Sequence, residues 1–439
     1  MRVCLLLEVA LTGVLIVCAP STARADGWKI QLQGARALGT SYAGRSVLAE
    51  DASVVWFNPA AMSWLAGDWI LTGGAPIITY QLNFRDRGSV SVLGQPVTGA
   101  RSRDGGRTAA VPHVYAVKRL NARSWAGLGF NAPFGLGTDY GETWAGRYFA
   151  TETTLTVFNI NPAFALRPSS RVAIGVGLDL QRSTATLANM IDFGSIGAAA
   201  GLPLTPQGAD GRIKFSGGDW ATGFDLSVAW DAARSTRIGA TYRSRVEHTL
   251  SGQADFTVPT QATPMTAGGL LFADTGARTV LPMPSELSVS ASRALPGGWM
   301  LLGDATWTGW SRFQELRVSF DNPSQPAVRQ PADWRDSVRF AVGARNTFAR
   351  TWTVHGGVGY ETTPVPDATR NARLPEENHA WFSAGASYQR SDSLRLDFHA
   401  SHLVTPNAEI RLDDPFAGRL VGNVHWRLSV FGVSAALRF

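Results

Sequence analysis

Cysteine is nearly absent from this chain of 439 residues, which holds two, Cys4 and Cys18. Both lie in an N-terminal stretch that opens with Met1 and Arg2, runs on through apolar residues and ends in Ala-Arg-Ala at 23–25. A positive start, a short apolar run and small residues at the end are typical of a cleaved signal peptide. We therefore expect residues 1–25 to be removed, which leaves no thiol for disulfides, catalysis or metal binding.

Long hydrophobic runs are missing as well. After residue 25 no segment reaches the ~20 apolar residues that a membrane helix requires. If the chain spans a bilayer, it must do so as a closed β-barrel, because only helices and closed sheets satisfy every backbone polar group in lipid. Composition leaves the question open, since 45% apolar residues and a mean hydropathy of −0.03 also suit a soluble enzyme.

Concentrated positive charge is a third absence. The formal net charge is +6, but the basic residues are scattered, and the lysines are limited to Lys29, Lys118 and Lys214. Nucleic-acid binding favours a basic face or tract. We therefore expect no nucleic-acid partner.

Catalytic and metal-binding patterns are lacking too. The seven histidines are dispersed, without the spacing to cysteines or carboxylates that a metal site requires. Ser401 adjoins His402, but neighbours on a strand point to opposite faces and cannot act as nucleophile and base. We predict no enzyme, no cofactor and no metal; a lipase is the enzymatic alternative, and a lipid-hydrolysis assay would test it.

What the chain does contain is apolar residues at every second position. The pattern is clear at 172–180, 224–230, 338–344 and 394–400, where polar or small residues fill the alternate positions. This period of two indicates strands with one apolar and one polar face. In a soluble sandwich the apolar face is the core, whereas in a membrane barrel it faces lipid.

Connection lengths choose between these two folds. We predict fourteen strands, at 68–84, 107–120, 123–132, 152–167, 171–187, 219–231, 235–252, 284–295, 298–320, 334–348, 351–362, 380–390, 393–404 and 423–439. Tight turns alternate with long loops at 85–106, 133–151, 188–218, 253–283, 321–333, 363–379 and 405–422. An even number of long strands, with short turns at one rim and long loops at the other, indicates an all-β, antiparallel transmembrane barrel of the outer membrane.

The chain ends in an alternating strand with a terminal aromatic residue, Phe439. Such an ending resembles the signal by which the barrel-assembly machinery inserts outer-membrane barrels; an ordinary last strand is the alternative. We expect a monomer in the outer membrane of a Gram-negative-type bacterium. Tryptophans near strand ends could form interfacial belts, and for each of them an ordinary packing role is the alternative. They are Trp69, Trp125, Trp220, Trp230, Trp299, Trp334, Trp352 and Trp381.

Residues 26–67 precede the first strand and do not alternate. They are rich in Ala and Gly and prone to turns. A barrel of about fourteen strands has a lumen too wide for its own side chains to fill. We therefore predict that residues 26–67 fold inside residues 68–439 and plug the lumen.

Several motifs, in this order, resemble the FadL/TodX-like family of long-chain fatty acid transporters. They are Ala49-Glu50-Asp51-Ala52-Ser53, Asn58-Pro59-Ala60 with Met62, Pro133-Phe134-Gly135-Leu136, Trp144 to Tyr148, Asn159-Ile160-Asn161-Pro162, Gly208 to Gly211 and Asp304 to Trp310. The resemblance implies a fourteen-stranded barrel, an N-terminal hatch bearing Asn58, Pro59 and Ala60, and passive uptake of fatty acids or other hydrophobic compounds such as aromatic hydrocarbons. A porin for small polar solutes is the alternative.

The resemblance also implies a ligand groove among the outer loops. Its residues would be Leu187, Met190, Ile191, Phe193, Ile196, Leu202, Leu270, Leu271 and Phe272. Exposed apolar residues in loops often mark a binding surface, although packing between the loops explains them equally well. A carboxylate head group could meet Arg147, Arg243, Arg245 or Arg345, but lumen arginines also simply line a barrel.

The third strand is the expected site of a lateral opening. Family members release their ligand sideways where this strand kinks, and here it contains Gly127, Gly129, Asn131 and Pro133. Glycine marks bulges and proline cannot donate to a ladder, so these residues should weaken pairing. A simple strand end is the alternative.

Overall fold

A computed structural model describes residues 27–349 and 351–439. The predicted signal peptide lies outside the described residues. The strand segments form one antiparallel sheet that closes on itself, with Ile70 opposite Arg438 and Ile78 opposite Val430. Several segments follow one another along one crossing, so that the wall has the fourteen strands that the sequence predicts.

These strands are numbered here in chain order. They are β1 (Trp69–Gly74 and Ile77–Asp86), β2 (Ser102–Asp104, Thr108–Ala110 and His113–Arg119), β3 (Ser124–Asp139), β4 (Glu152–Leu166), β5 (Val172–Asp192), β6 (Asp210–Ala233) and β7 (Thr236–Arg243 and Val246–Thr257). The second half of the wall comprises β8 (Thr275–Met283 and Glu286–Ala294), β9 (Trp299–Thr308 and Glu315–Phe320), β10 (Val328–Pro331 and Ser337–Phe348), β11 (Trp352–Glu361), β12 (His379–Gln389), β13 (Leu394–Val404 and Ala408–Asp414) and β14 (Gly418–Arg438).

Helices are few and short. The α-helices are α1 (Ala35–Gly39), α2 (Val54–Phe57) and α3 (Phe193–Ala199), and 3₁₀ turns lie at Pro59–Trp64, Thr260–Thr266, Pro296–Gly298 and Trp310–Arg312. Among the described residues, none of these helices is long and apolar enough to cross a membrane.

The apolar face of the wall is the outer face. On β10 the outward-facing Phe340 and Val342 are 56% and 62% exposed, whereas the inward-facing Arg339 is 1% exposed. The same holds for β13, where Phe398 is exposed while Asp397 and His399 are buried. A soluble protein would not leave so regular an apolar surface in water, so this surface meets lipid.

The strands extend further on the loop side than the sequence predicts. β5 continues to Asp192 and β6 begins at Asp210, so the predicted loop 188–218 contracts to 193–209. The predicted loop 405–422 is mostly a hairpin with a connection at 415–417. The reason is that the strands rise above the bilayer, where outward positions such as Thr184 and Thr186 meet water and the apolar alternation stops.

The predicted tryptophan belts need correction at three positions. Trp125, Trp334 and Trp381 are buried and point into the barrel. The outward members, all at least 37% exposed, are Trp69, Trp220, Trp230, Trp299 and Trp352. Nearness to a strand end does not decide direction, because successive side chains alternate between the two faces.

The N-terminal segment, residues 27–67, lies among inward-facing groups from all around the wall. Its hydrogen-bond partners include Thr72, Ser227, Thr241, Ser288, Gly357, Ser383 and Arg395, which belong to seven different strands. Buried ion pairs add to this network: Arg339 lies 2.7 Å from Asp304 and also donates to the Ser41 carbonyl. The segment therefore contacts the inner face of the wall on seven of its strands.

Candidate functional site

An apolar cavity of about 620 Å³ opens among the outer loops. Its wall comes mainly from the inner faces of strand extensions and from nearby loop residues. The apolar lining residues include Phe149, Leu187, Met190, Ile191, Ile196, Ile213, Phe215, Phe256, Phe272, Leu316, Val318 and Phe416. Its volume lies in the range of small-molecule sites, about 300–1,000 Å³, so the cavity is large enough for a hydrophobic ligand.

The residues that the resemblance implied for this groove divide into two groups. Leu187, Met190, Ile191, Ile196 and Phe272 line the cavity. The other four lie outside its lining: Phe193, Leu202, Leu270 and Leu271.

Those four differ in their surroundings. Phe193 is fully buried behind the cavity, with its ring 4.9 Å from that of Phe272. Leu270 is 60% exposed to solvent. Leu202 and Leu271 are half-buried and hold the local turns through their backbone N–H groups, which donate to Gly197 and Thr266. Five of the nine residues therefore lie in the cavity lining, and Phe193 packs between the loops behind it.

Sequence reasoning missed the cavity residues on β6 and β7. Ile213 and Phe215 on β6 and Phe256 on β7 fall within the predicted loops. Ile213 and Phe215 share the inward-facing parity of Asp225 further along β6, and Phe215 and Asp225 are both buried. Extending the period of two through 210–218 would have found them.

An apolar cluster continues from the cavity into the barrel. Leu187, Phe215 and Phe256 belong to the cavity wall and also to a cluster that includes Leu155 and Val157. The cluster reaches Trp28, whose ring packs 5.1, 4.8 and 4.6 Å from those of Trp310, Phe313 and Trp334. It also includes Phe134 on β3. Apolar side chains therefore pack in one cluster that includes both the cavity wall and Phe134 on the third strand.

The β2–β3 seam is interrupted beside Phe134. Within the described chain, the ladder runs from Arg119 opposite Trp125 to Val114 opposite Phe130 and does not continue past that pair. Near the loop rim the two strands meet again through one backbone bond, Asp139 N to Gly105 O, of 3.0 Å. The register of β3 with β4 shifts by one residue between Asn131 and Phe134, which marks a bulge at Pro133.

The free edge of β3 is occupied by the start of the N-terminal segment. Ile30 N donates to Pro133 O at 2.8 Å, and Gly135 N donates to Trp28 O at 2.9 Å. Lys29 lies opposite Phe134 in an antiparallel bridge. Residues 28–30 thus replace β2 as the pairing partner of β3 at the bulge.

The four predicted residues of this opening behave in two ways. Asn131 and Pro133 flank the bulge, and Asn131 Nδ2 donates to the Tyr115 hydroxyl at 3.1 Å. Gly127 and Gly129 pair regularly with both neighbouring strands, which corrects the expectation that they weaken pairing. A Cβ at Gly127 would lie 2.6 Å from Val55 Cγ2, so this glycine lets the N-terminal segment approach the wall.

The Asn-Pro-Ala element fixes the other end of the N-terminal segment. Asn58 Nδ2 donates to Ser46 O at 2.7 Å and to Val228 O on β6 at 3.0 Å. Ala60 N donates to Ser227 Oγ at 3.0 Å. On β5 a Cβ at Gly175 would lie 2.4 Å from Ala60 N, so the 3₁₀ turn rests directly on the wall backbone.

The arginines considered for a head group are engaged or misdirected. Arg147 pairs with Asp210 at 2.8 Å, Arg243 with Asp179, and Arg345 with Glu50. Arg245 is exposed on the outer face. Sequence reasoning did not consider Arg373, which lies in the 362–378 loop and lines the cavity.

A closed antiparallel β-barrel with an apolar outer face and an apolar cavity among its loops is the architecture of an outer-membrane protein. Residues 16–439 match the family Outer membrane protein transport protein (OMPP1/FadL/TodX). The chain belongs to this family.

Curated relatives and solved structures agree with this assignment. The long-chain fatty acid transport protein of Escherichia coli O6:H1 is 25% identical over 408 residues, covering 89% of this chain and 90% of that protein. The crystal structure of a Pseudomonas aeruginosa FadL homologue superposes with a TM-score of 0.88 at 22% identity, covering 94% of this chain and 100% of the other. The crystal structure of the Pseudomonas putida toluene transporter TodX superposes with a TM-score of 0.71 at 16% identity, covering 94% of this chain and 99% of the other. The two structures establish a shared fold.

Proposed function

We propose that this protein takes up hydrophobic small molecules across the outer membrane, passively and as a monomer inserted in outer-membrane lipid by the barrel-assembly machinery. The cargo is a fatty acid or an aromatic hydrocarbon, the two kinds named for its relatives. It is captured in the loop cavity, passes along the apolar cluster and leaves sideways at the interrupted β2–β3 seam. Residues 27–67 act as the hatch that closes the lumen to water.

The observation that carries this proposal is the continuous apolar surface from the cavity to Phe134. Each CH₂ that leaves water contributes about 0.8 kcal/mol, so an acyl tail gains on the order of 10 kcal/mol in such surroundings. A water-filled pore offers no such gain. The surface ends where β3 lacks a wall neighbour, so the bilayer is the next apolar medium along the route.

The start of the N-terminal segment blocks this exit. Because Trp28–Ile30 pairs with β3 at the bulge, the stretch must shift before a ligand can pass. Its attachment includes the aromatic cluster, a short ladder, the Lys29–Glu286 ion pair and a hydrogen bond from Lys29 Nζ to Thr308 Oγ1. Local opening of so short a stretch does not require unfolding of the wall.

A disulfide at this place tests the route. Lys29 and Phe134 lie opposite each other in the bridge, so the double variant Lys29→Cys/Phe134→Cys is expected to lock the stretch onto β3 upon oxidation. Uptake of radiolabelled palmitate and toluene by cells should fall at least about tenfold when oxidised and recover with reductant. Equal uptake in both states would contradict the lateral route.

The matched control ties the same segment to a distant strand. Ser41 Oγ lies 2.8 Å from Ser383 Oγ on β12, so Ser41→Cys/Ser383→Cys should also cross-link. Oxidation there should leave uptake unchanged, because residue 41 lies away from the seam. Loss of uptake in both variants would mean that the whole segment has to move.

A further inference from the structure

The outer face of the wall changes from apolar to polar where β1, β13 and β14 rise towards the loops. Nearer the turn rim the outward side chains are apolar and exposed, as at Ile77, Phe398 and Phe431. Further along the same strands the outward positions form a polar patch, which comprises Gln81, Asn83 and Arg85 on β1, His402 and Asn407 along β13, and His425 and Arg427 on β14.

The polar patch lies just beyond the lipid-facing band. The apolar band of an outer-membrane barrel is about 25 Å tall, and a strand tilted by about 40° advances about 2.5 Å along the membrane normal per residue. Counted from Phe439 at the turn rim, the band on β14 therefore ends near Ser429. Arg427 lies about 5 Å further out, at the level of the lipid head groups.

The pairing of β1 with β14 brings the patch residues together. Asn83 lies opposite His425, and Arg85 lies opposite Asn423. Opposite side chains on neighbouring strands have Cβ atoms about 5 Å apart, and diagonal neighbours about 7–8 Å. Arg85 is a diagonal neighbour of His425, so Arg85 and the adjoining Arg427 face the same area of the surface.

Hydrogen bonds hold the Arg427 guanidinium in one orientation. Its Nε donates to His425 Nε2 at 2.9 Å. The proton of this imidazole is therefore on Nδ1, which donates to Asn407 Oδ1 at 2.7 Å. The two terminal amino groups of Arg427, Nη1 and Nη2, have no partner among the described residues. A planar donor fork held through its Nε suits bidentate binding of a phosphate.

The two arginines of the patch also lack a counter-charge in contact. In the part of the chain that the structure describes, neither Arg85 nor Arg427 has a carboxylate within ion-pair distance. Other exposed arginines on the loop side do have such partners: Arg107 lies 2.9 Å from Asp139, Arg212 lies 3.3 Å from Glu142, and Arg419 lies 2.5 Å from Asp413.

Two carboxylates share this outer face, but neither is next to Arg427. Asp104 lies opposite Asn83 and accepts hydrogen bonds from the backbone N–H groups of residues 82 and 106, at 2.8 and 2.9 Å. Glu409 lies opposite Asn423, so that β14 separates it from β1. Arg427 itself faces the neutral Gln81 across the seam with β1. The fork is therefore open to an anion from outside the protein.

The position of the patch selects a lipid as the source of that anion. The exposed Phe431 and Ile77 lie directly below it and contact acyl chains. A lipid whose tails rest on this band already holds its head group beside Arg427, whereas a free ion loses all of its translational freedom on binding. Anionic lipid head groups also attract basic residues at the membrane surface.

We propose that the polar patch binds a phosphate-bearing lipid of the outer leaflet on the outside of the barrel. Arg427 takes the phosphate through its two terminal amino groups, and Arg85 adds positive charge. His425 and Asn407 are positioning residues, because they act by holding Arg427. None of the patch residues belongs to the lining of the loop cavity, so this site is separate from the one that takes the cargo.

Two lipids that differ only in their phosphates test the site. The full-length protein in detergent micelles is titrated with diphosphoryl lipid A and with the same lipid after removal of its phosphates, and bound lipid is counted by native mass spectrometry. The wild type should bind the phosphorylated lipid about tenfold or more tightly. Arg427→Gln should lose most of this preference and bind the dephosphorylated lipid within about twofold of the wild type.

Two further variants separate recognition from general charge. Arg427→Lys keeps the charge but not the planar fork and should retain part of the preference. Arg419→Gln is the matched control, because it removes an exposed arginine that already pairs with Asp413, and it should bind like the wild type. An undiminished preference in Arg427→Gln, or an equal loss in Arg419→Gln, would overturn the proposal. Equal losses for both lipids in Arg427→Gln would also overturn it, since Arg427 would then have a merely structural role.

Competition with inorganic phosphate distinguishes a lipid site from a site for free anions. Millimolar phosphate should leave the bound lipid A in place, because the acyl chains contribute to its affinity. Displacement of the lipid at that concentration would overturn the assignment to a lipid. Either result leaves the proposed uptake of hydrophobic cargo standing, because that proposal depends on the loop cavity and the β2–β3 seam.

Discussion

Two seams of the wall, β5–β6 and β2–β3, behave in opposite ways. Between β5 and β6 the ladder is continuous from Val172 opposite Trp230 to Asp192 opposite Asp210. Between β2 and β3 it stops at Phe130, although both seams contain several glycines. Glycine content therefore does not explain why a ladder is interrupted. At the β2–β3 seam the interruption coincides with the bulge at Pro133 and with the pairing of residues 28–30 to β3.

The same contrast appears at the two ends of the N-terminal segment. Residues 58–60 are held against β5 and β6 by backbone contacts that leave no space, whereas residues 28–30 rest on β3 through a short ladder and an aromatic cluster. We propose that the first end is an anchor and that the second is a cover that can move aside, as a lateral exit would require.

The largest effect is expected at the anchored side. Arg243 on β7 pairs with Asp179 of β5, lies 3.6 Å from Asp225 of β6, and donates to Trp56 O. Arg243→Ala would leave two buried carboxylates without their cation, at a cost of about 3–5 kcal/mol in the free energy of unfolding. Urea unfolding in detergent, followed by tryptophan fluorescence, measures it. A loss below about 1 kcal/mol would show that this side is not the stable one.

A slightly smaller and strictly local effect is expected at the cover. Trp28→Ala removes the ring that packs against Trp310, Phe313 and Trp334. The opening free energy at the Gly135 amide should fall by about 3 kcal/mol, while the Ala60 amide changes by less than about 0.5 kcal/mol. Hydrogen exchange resolves the two amides; equal loss of protection at both would remove the distinction between cover and anchor.

The smallest effect concerns the close approach at β5. Gly175→Ala would place a Cβ 2.4 Å from Ala60 N, a backbone atom that cannot swing aside as the end of a flexible side chain can. The free energy of unfolding should therefore fall by about 1–3 kcal/mol. Gly303→Ala on β9 is the matched control, because no atom lies within 4 Å of its Cβ. Its effect should stay within about 0.5 kcal/mol. A thermal unfolding series of the two variants checks the difference.

Much of the wall could be predicted because its outer face obeys a rule of period two. Val338, Phe340 and Val342 point outward and alternate with the inward-pointing Arg339. This alternation is expected for a strand with lipid on one side and a polar lumen on the other. Prediction failed where the solvent changes along a strand. Above the bilayer the outward neighbours of Phe215 on β6 are Lys214 and Ser216, which are not apolar, so the sequence pattern predicts a loop there.

The site was less accessible for a second reason. Arg373 meets its partners on β4 and β5 across about two hundred residues of chain, a distance at which no local pattern operates. Sequence reasoning singled out Gly127 and Gly129 because glycine weakens strand pairing. In the structure these glycines instead allow Val55 of the N-terminal segment to approach β3 closely. The spacing of apolar residues along a strand predicts which side chains point into the barrel, but it does not predict which residues, distant in sequence, they contact there.

We propose that cargo leaves through the β2–β3 seam and not along the barrel axis. The most direct test uses a palmitate analogue that carries a photoreactive diazirine in its tail. The analogue is loaded from outside onto the protein in native membranes, and its adducts are mapped by peptide mass spectrometry. Adducts are expected on Trp28–Ile30 and on β3 from Pro133 to Gly137, in addition to those in the loop cavity. Adducts on residues 58–67 at the turn rim, with none on β3, would show an axial path and contradict it.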